Sequence, residues 1–275
     1  MIRKSFIFLE KISSKTENNI WSDNIYSWDS FLKQEKIKGI SRQRKSYYDR
    51  QIIKARNALY NFDSSFFTNR LPLSEIWRLY DFFRDEAVFL DIEASPHDGD
   101  ITVVGLFDGF ETKTYIKGVN LNQDVLKKEL SRYKLLVTFN GLSFDIPMLK
   151  RKFNDIIPDV PHFDLRFACK RAGLEGGLKM IEKNLGIKRC KEAELMNSYD
   201  AVYLWNSWQK GYNEALDILI KYNEEDVINL KPIADFVYRR LTVLTTGSPK
   251  RFDATKPSKS LSKVIIPSSE TPIPK

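Results

Sequence analysis

The chain has 275 residues, of which 42% are hydrophobic and 29% are charged, and this is the composition of a globular protein. No apolar run approaches the roughly 20 residues that a membrane-spanning helix needs, so we expect no membrane association. Two cysteines and two histidines are too few for a disulfide framework or for a zinc site built from those residues. We therefore expect a cytoplasmic protein in which any metal site uses carboxylates.

The formal net charge of +8 is unevenly distributed along the chain. Residues 1–80 and 247–275 carry net positive charge, whereas the segment between them is slightly negative. Because Lys and Arg side chains release counterions when they contact phosphate groups, basic ends predict a nucleic-acid partner. The alternative is a soluble basic protein with a lysine-rich surface.

Residues 1–80 are predicted to form a small all-α domain. Ser14 and Glu17 have the spacing of a capping box, and Ser27 and Ser41 precede further helical segments. Short helices followed by a basic helix resemble a degenerate helix-hairpin-helix module, although the expected turn glycines are missing at Lys11-Ile12-Ser13. A helical cap on the neighbouring domain explains the same pattern equally well.

The basic helix after Ser41 has two predicted sides. Its nucleic-acid contacts are predicted to come from Arg42, Arg44 and Lys45. Its buried side is predicted to consist of Ile52, Ile53 and Leu59.

Residues 81–245 are predicted to form an α/β domain. The segments AVFLDIE, ITVVGLFDG, TKTYIKG and KLLVTFNG have the apolar pattern of strands. Asp108-Gly109 is expected to close a hairpin, and Pro147 fits only the first turn of a helix. Mainly helices follow, and the last of them is expected to bend at Pro232. Residues 246–275 are rich in Pro, Ser and Lys and are predicted to form a flexible basic tail.

Four carboxylates and one tyrosine stand at informative positions in this domain. Asp91 and Glu93 are two residues apart at the end of an apolar strand and so project from one face. Asp145 follows a later strand, and Tyr222 and Asp226 lie at i and i+4 of a late helix. Taken singly, each is explained by a solvated strand end, a helix N-terminal acid or a surface pair. Together they supply the hard oxygen ligands that Mg²⁺ or Mn²⁺ prefers.

These residues give the sequence a resemblance to the DEDD exonucleases of the RNase H-like fold, in the tyrosine subclass. The motifs are FLDIE (89–93), TFNGLSFD (138–145) and YNEED (222–226). The chain resembles more closely the YprB-type predicted RNase H-like family, through HFDL (162–165) and GLK (177–179). The resemblance implies an RNase H-like fold with a mixed five-stranded sheet flanked by helices.

The resemblance also implies an activity, which is two-metal 3′→5′ hydrolysis of single-stranded DNA or RNA. Asp91, Glu93, Asp145 and Asp226 would hold two Mg²⁺ or Mn²⁺ ions, with Asp91 bridging them. Tyr222 would orient the attacking water. One departure from relatives is the loop Ala94-Ser95-Pro96-His97, which replaces the Thr-Thr-Gly that often lines the pocket for the terminal nucleotide.

Other polar residues receive weaker predictions. Asn140 and Lys179 are candidates for nucleic-acid contact, and His97 is expected to be merely exposed. Asp164 is expected to be structural, His162 to be a satisfied and partly buried histidine, and Glu224 and Glu225 to form a solvated face.

Two further functions remain open from the sequence. A catalytically weak nucleic-acid-binding module would keep the fold without efficient hydrolysis, and a structure-selective endonuclease would cut internally. The sequence distinguishes neither DNA from RNA nor one oligomeric state from another.

Overall fold

The structure is a computed structural model that describes residues 1–95, 99–190 and 198–247. His97 of the altered loop, and the predicted flexible tail beyond residue 247, lie outside the described residues. The α-helices of the N-terminal part are α1 (Ser14–Ser22), α2 (Trp28–Lys33), α3 (Arg42–Tyr60), α4 (Ser65–Thr68) and α5 (Tyr80–Phe83). Short 3₁₀ helices span Ile2–Lys4, Leu73–Leu79 and Arg84–Glu86.

Capping side chains set the starts of these N-terminal helices, largely as predicted. Ser27 and Ser41 are the N-caps of α2 and α3, and each accepts a hydrogen bond from a backbone N–H in the first turn. The predicted capping box at Ser14 is wrong, because Ser13 is the N-cap of α1 and accepts from the Thr16 N–H. Glu17 is instead turned into the protein interior.

A five-stranded mixed sheet forms the centre of the α/β region and confirms the predicted fold class. Its strands are β1 (Ala87–Ala94), β2 (Ile101–Phe107), β3 (Thr112–Ile116), β4 (Leu135–Thr138) and β5 (His162–Asp164). The spatial order is β3-β2-β1-β4-β5. The pairs β1–β2 and β2–β3 are antiparallel, whereas β1–β4 and β4–β5 are parallel. Asp108 and Gly109 close the β2–β3 hairpin as predicted, with the Asp108 N–H donating to the Glu111 carbonyl at 3.2 Å.

Helices cover both faces of the sheet. They are α6 (Gln123–Leu130), α7 (Asp145–Lys152), α8 (Leu165–Arg171), α9 (Leu178–Leu185), α10 (Ser198–Gln209) and α11 (Asn213–Thr246). Pro147 lies in the first turn of α7 as predicted, and Gly186 ends α9 in the left-handed conformation. Pro232 lies inside α11, which continues beyond it as one helix.

The alternation of side chains along β1 assigns its two faces to different cores. Val88, Leu90 and Ile92 belong to one apolar cluster, packed against α6 and α7. Phe89 belongs to another cluster, which also contains Val227 and Leu230 of α11. Because Asp91 and Glu93 continue the Phe89 side of the strand, the fold directs both carboxylates towards α11.

The N-terminal helices share this second apolar cluster with the sheet and α11. The Tyr80 hydroxyl donates to Asp235 at 3.0 Å, and the N-terminal amine donates to the Tyr238 hydroxyl at 2.8 Å. These contacts agree with the helical-cap interpretation of residues 1–80, while the boundary at residue 80 stays a prediction.

A buried ionic network stabilises the N-terminal region. Glu17 accepts hydrogen bonds from the backbone N–H groups of Phe6 and Ile7, at 2.6 and 3.2 Å. The Arg78 guanidinium donates to Glu17 at 2.8 Å and to Glu75 at 2.6 Å. Since all three charged side chains are buried, each depends on the others to remain compensated.

Two predictions for α3 are wrong. Ile53 is about half exposed, whereas Ile52 and Leu59 are buried as predicted. Lys45 is buried against the Phe31 ring, and its Nζ donates to Asp49 at 2.6 Å. Lys45 therefore serves packing within the N-terminal region and is not presented to a nucleic acid.

Among the residues that the structure describes, no helix combines the length and the hydrophobicity needed to cross a lipid bilayer.

Candidate metal centre

Asp91 and Glu93 occupy the carboxyl-terminal half of β1, opposite Gly105 and Val103 of β2. Both side chains are half-buried, in contrast to the fully buried apolar residues earlier in the strand. The register of β1 and β2 shifts between Glu93 and Ala94, so an irregularity interrupts the regular pairing directly after the two carboxylates. Asp91 and Glu93 therefore lie on one face of β1, near the carboxyl-terminal end of the strand.

Helix α11 brings a third carboxylate to the same place. Asp226 is buried, and the nearest carboxylate oxygens of Asp91, Glu93 and Asp226 all lie within 4.8 Å of one another. Tyr222 lies one turn before Asp226 on the same helical face and is also buried. The structure therefore brings together the DxE pair and the Tyr–Asp pair, which are more than 120 residues apart in sequence.

Asp145 is buried beside this cluster, at the start of α7. Its Oδ1 accepts a hydrogen bond from the Ile92 N–H at 3.1 Å, between the two acids of β1. Its oxygens are not part of the set that lies within 4.8 Å. Asp145 is therefore adjacent to the three-carboxylate cluster, and its contact with Ile92 fixes its position relative to β1.

The turn between β4 and α7 is held by Asp164, in the structural role expected for it. Asp164 accepts hydrogen bonds from the N–H groups of Asn140 and Leu142, at 2.9 and 3.0 Å. Asn140 has a positive φ of 67°, and its side-chain oxygen accepts from Arg166 at 2.7 Å. Gly141 lies so close to Thr138 that a Cβ atom would come within 2.2 Å of the threonine hydroxyl. These contacts pack the turn tightly, and the turn sets where α7 begins at Asp145.

Asn223 is a site residue that the sequence analysis did not single out. It is fully buried, and its Nδ2 donates to Asp91 at 3.0 Å. A Cβ atom on Gly105 would approach the Asn223 side-chain oxygen to 2.0 Å, so glycine is needed there for this approach. The sequence could have indicated Asn223 as a site residue, because Asn223 and Asp226 are three residues apart and share a helical face.

Arg189 is a second site residue that the sequence analysis missed. Its guanidinium forms two hydrogen bonds of 2.7 Å to Glu182 and another to Asp226. Asn229 donates to the same Glu182 carboxylate at 3.0 Å. Nothing in the local sequence indicated this role, because Arg189 follows the end of α9 in a run that reads as an ordinary basic loop.

Burial shifts the pKa values of all four predicted ligands upwards. The pKa of Asp91 is raised well above its ordinary range by burial and by the carboxylates around it. Burial together with the neighbouring acids raises the pKa of Glu93 to about 8, and burial raises that of Asp145 to about 7. The pKa of Asp226 rises to about 6, because burial outweighs the lowering effect of Arg189. In the metal-free chain these acids therefore retain protons more readily than free carboxyl groups do.

Two cations lie near the ring of Tyr222. The Lys179 Nζ is 5.1 Å from the ring centroid, and the Arg189 guanidinium carbon is 5.7 Å from it. Burial, followed by the charges of Asp226 and Glu93, raises the pKa of the Tyr222 phenol. Tyr222 is consequently a neutral hydroxyl at physiological pH, suited to donate or accept a hydrogen bond rather than to act as a base.

The chemistry of this cluster fits a divalent cation. Three carboxylates that face one another repel when ionised, and burial adds the penalty of desolvation. A cation bound by Asp91, Glu93 and Asp226 would remove both penalties. Because every donor is a carboxylate oxygen, the set matches the preference of Mg²⁺ and Mn²⁺.

The remaining predicted residues lie in varied surroundings. Arg42 and Arg44 are exposed at the start of α3. His162 is half-buried and hydrogen-bonds Thr138 at 2.8 Å, as expected, and burial lowers its pKa to about 4. The prediction that Glu224 and Glu225 form a solvated face is wrong, because both are half-buried. Glu224 accepts a hydrogen bond from the Thr112 hydroxyl at 3.3 Å, and Glu225 accepts one from the Cys190 N–H at 2.8 Å.

Comparison with protein families decides the superfamily. The family model RNase_H_2, described as RNase_H superfamily, matches residues 88–238, which is more than half of the chain. The chain belongs to the RNase H superfamily. The matched segment contains β1 from its second residue, β2 to β5 and all four predicted ligands. Membership supports a nuclease class of hydrolase acting on nucleic acid.

Among solved structures, the chain is similar to the family B DNA polymerase from the hyperthermophilic archaeon Pyrobaculum calidifontis. The identity is 14%, the TM-score is 0.45, and the match covers 59% of this chain and 27% of the polymerase chain. The chain thus spans about a quarter of the length of that polymerase. No curated protein matches the sequence.

Proposed function

We propose that this RNase H-superfamily chain is a 3′→5′ exonuclease of the tyrosine DEDD subclass, closest to the YprB-type family, acting on single-stranded DNA or RNA. One observation carries the proposal, namely the convergence of Asp91, Glu93 and Asp226 within 4.8 Å. Asp145 stands beside them, bonded to the Ile92 N–H. Such a group of half-buried and buried acids is unfavourable without a cation when all of them are ionised, which argues for a metal-dependent function.

The metal site is proposed to include all four acids. Asp91, Glu93 and Asp226 would hold one Mg²⁺ or Mn²⁺ ion, and Asp145 would join Asp91 in holding a second. Such ions, when bound, supply a water of lowered pKa and electrostatic stabilisation of the charge that develops on the phosphate.

The neighbouring side chains would position the ligands and the substrate. Asn223 holds Asp91 through its amide, which fixes the orientation of the carboxylate. The Tyr222 hydroxyl would orient the attacking water by a hydrogen bond. Lys179, whose Nζ lies 5.1 Å from the centroid of the Tyr222 ring, would contact a phosphate of the strand.

A second candidate is a nucleic-acid-binding module with weak catalysis. The observation that favours it is the contact between Arg189 and Asp226, because a guanidinium already compensates one proposed metal ligand.

The domain organisation is also a proposal. The nuclease domain would span residues 81–245, with a helical region before it and a basic tail after it.

The test is incubation of the chain with 5′-labelled single-stranded DNA and RNA in Mn²⁺, Mg²⁺ or EDTA, beside Asp91→Asn. We expect a metal-dependent ladder that shortens from the 3′ end, absent from the variant. Asp217→Asn, which alters an exposed acid of α11, is the matched control and should remain fully active. Binding without cleavage would favour the second candidate, and cleavage of a circular substrate would identify an endonuclease instead.

A further inference from the structure

A cavity of about 470 Å³ lies between the N-terminal region and the sheet domain. It is bounded by the 3₁₀ helix Leu73–Leu79, by α8 and by the turn after β4. Its walls are mainly apolar and include Leu73, Trp77, Leu142, Phe163 and Phe167. This size and lining are typical of pockets that bind small planar or apolar groups.

Aromatic side chains contribute much of the wall. Trp77 and Phe163 are buried, whereas Phe167 is about half exposed although it lies in the lining. Leu73, on the opposite side, is about two-thirds exposed. Exposed apolar side chains around a concave surface indicate a binding site, and aromatic rings provide faces on which nucleobases stack.

The cavity shares a structural element with the candidate metal centre. Asp164 lines the cavity and also holds the N–H groups of Asn140 and Leu142. Leu142 itself lines the cavity, and Asp145 follows it after one short turn. A group bound in the cavity would therefore lie next to the turn that positions Asp145.

Cationic side chains of α8 lie at the cavity and beside it, and they indicate the class of ligand. Arg171 lines the cavity and is fixed there by the carbonyl of Ser74 and by Glu75. Arg166 and Lys170 are exposed on the adjacent row of α8. Apolar walls with cations at the rim match a nucleotide, in which an apolar planar base is joined to an anionic backbone.

We propose that this cavity binds an unpaired nucleobase of the nucleic-acid strand, with Phe167 as a stacking platform and α8 cations contacting the backbone. This inference rests on the proposed nuclease function and adds a base-binding site beyond the metal centre. It assigns to residues 73–77 of the N-terminal region a direct part in holding substrate.

The test is the affinity of fluorescently labelled 12-residue oligothymidylate and of an abasic strand of equal length, measured by fluorescence anisotropy in EDTA. For Phe167→Ala, we expect the affinity for oligothymidylate to fall by roughly 5- to 100-fold and that for the abasic strand to stay unchanged. Phe167→Trp should retain the affinity, because it retains an aromatic face. Phe110→Ala is the matched control, because Phe110 is an exposed phenylalanine outside the cavity lining. It lies in the β2–β3 turn, at the edge of the sheet where β1 begins, whereas Asp91 and Glu93 lie towards the other end of β1.

Several outcomes would overturn the inference. Equal affinities of Phe167→Ala and the wild type would show that the cavity does not bind a base, even if the metal-dependent ladder is intact. An equal loss for the abasic strand would show that Phe167 does not act through a base. A dimer dispersed by Phe167→Ala would identify the cavity as a self-association surface. Failure of the wild type to bind or cleave any strand would contradict both this inference and the proposed function.

Discussion

Removal of the Arg189 charge tests how the acidic cluster is stabilised. The Arg189 side chain is buried, as are its partners Glu182 and Asp226. Arg189→Met keeps most of the side-chain length but leaves two buried carboxylates without their cation. Deleting one partner of a buried ion pair destabilises a protein by about 3–5 kcal/mol, because the remaining charge stays uncompensated.

The size of the effect should depend on pH and on metal. The pKa of Asp226, already about 6 with Arg189 present, would rise further in Arg189→Met. The destabilisation should therefore be largest at pH 8 and smaller near pH 5, where Asp226 is protonated. Mn²⁺ should restore part of the loss at pH 8, because a cation at Asp226 replaces the missing guanidinium.

The assay is urea unfolding at pH 8 and pH 5, with EDTA or with Mn²⁺. Arg56→Met is the control, since Arg56 forms an exposed pair with Asp29 at 3.1 Å and should contribute about 1 kcal/mol or less. Arg189→Lys should lie between the two, because an ammonium keeps the charge and loses the two-pronged contact with Glu182. Destabilisation by Arg189→Met of less than about 1 kcal/mol at pH 8 would refute this account of the network.

Three further predictions follow from the contacts described. Gly105→Ala should displace Asn223, destabilise the chain by about 1–3 kcal/mol and reduce activity, measured by urea unfolding and strand cleavage. Without metal, the free energy of unfolding should increase as pH falls from about 8 towards 4.5, because folded Glu93 takes up a proton that the unfolded chain does not hold. Thermal unfolding in EDTA measures this effect, and a melting temperature that falls across this range would contradict it. Arg78→Met should destabilise the chain by about 3–5 kcal/mol by leaving Glu17 uncompensated, and a change in melting temperature of under 1 °C would contradict the network.

Strand patterns and capping residues predicted much of the fold. The apolar run before Asp91 and the Asp108-Gly109 turn located β1 and the first hairpin, because strand pairing here follows local sequence. The i, i+2 spacing of Asp91 and Glu93 also predicted their common face. Asp226 comes close to these two acids because α11 packs on the same face of β1. Only the resemblance to a family could anticipate this packing.

The sequence failed where tertiary contacts override local pattern. Lys45 belongs to a basic run, yet Phe31 and Asp49 draw it into the interior. Arg189 reads as a loop residue, yet it compensates two acids from different helices. The i, i+4 spacing of Lys45 and Asp49 is visible in the sequence, but Phe31 lies on another helix, as do the two acids that contact Arg189. Composition and local spacing carry no signal for contacts between elements.

Direct measurement of Mn²⁺ binding tests the central claim, which is that Asp91, Glu93 and Asp226 form a divalent-cation site. The titration would follow the loss of free Mn²⁺ signal by electron paramagnetic resonance at pH 8 for the wild type, Asp91→Asn and Asp217→Asn. We predict saturable binding that Asp91→Asn abolishes or weakens at least tenfold and that Asp217→Asn leaves unchanged. Equal Mn²⁺ affinity of the wild type and Asp91→Asn would contradict the assignment of this cluster as the metal centre.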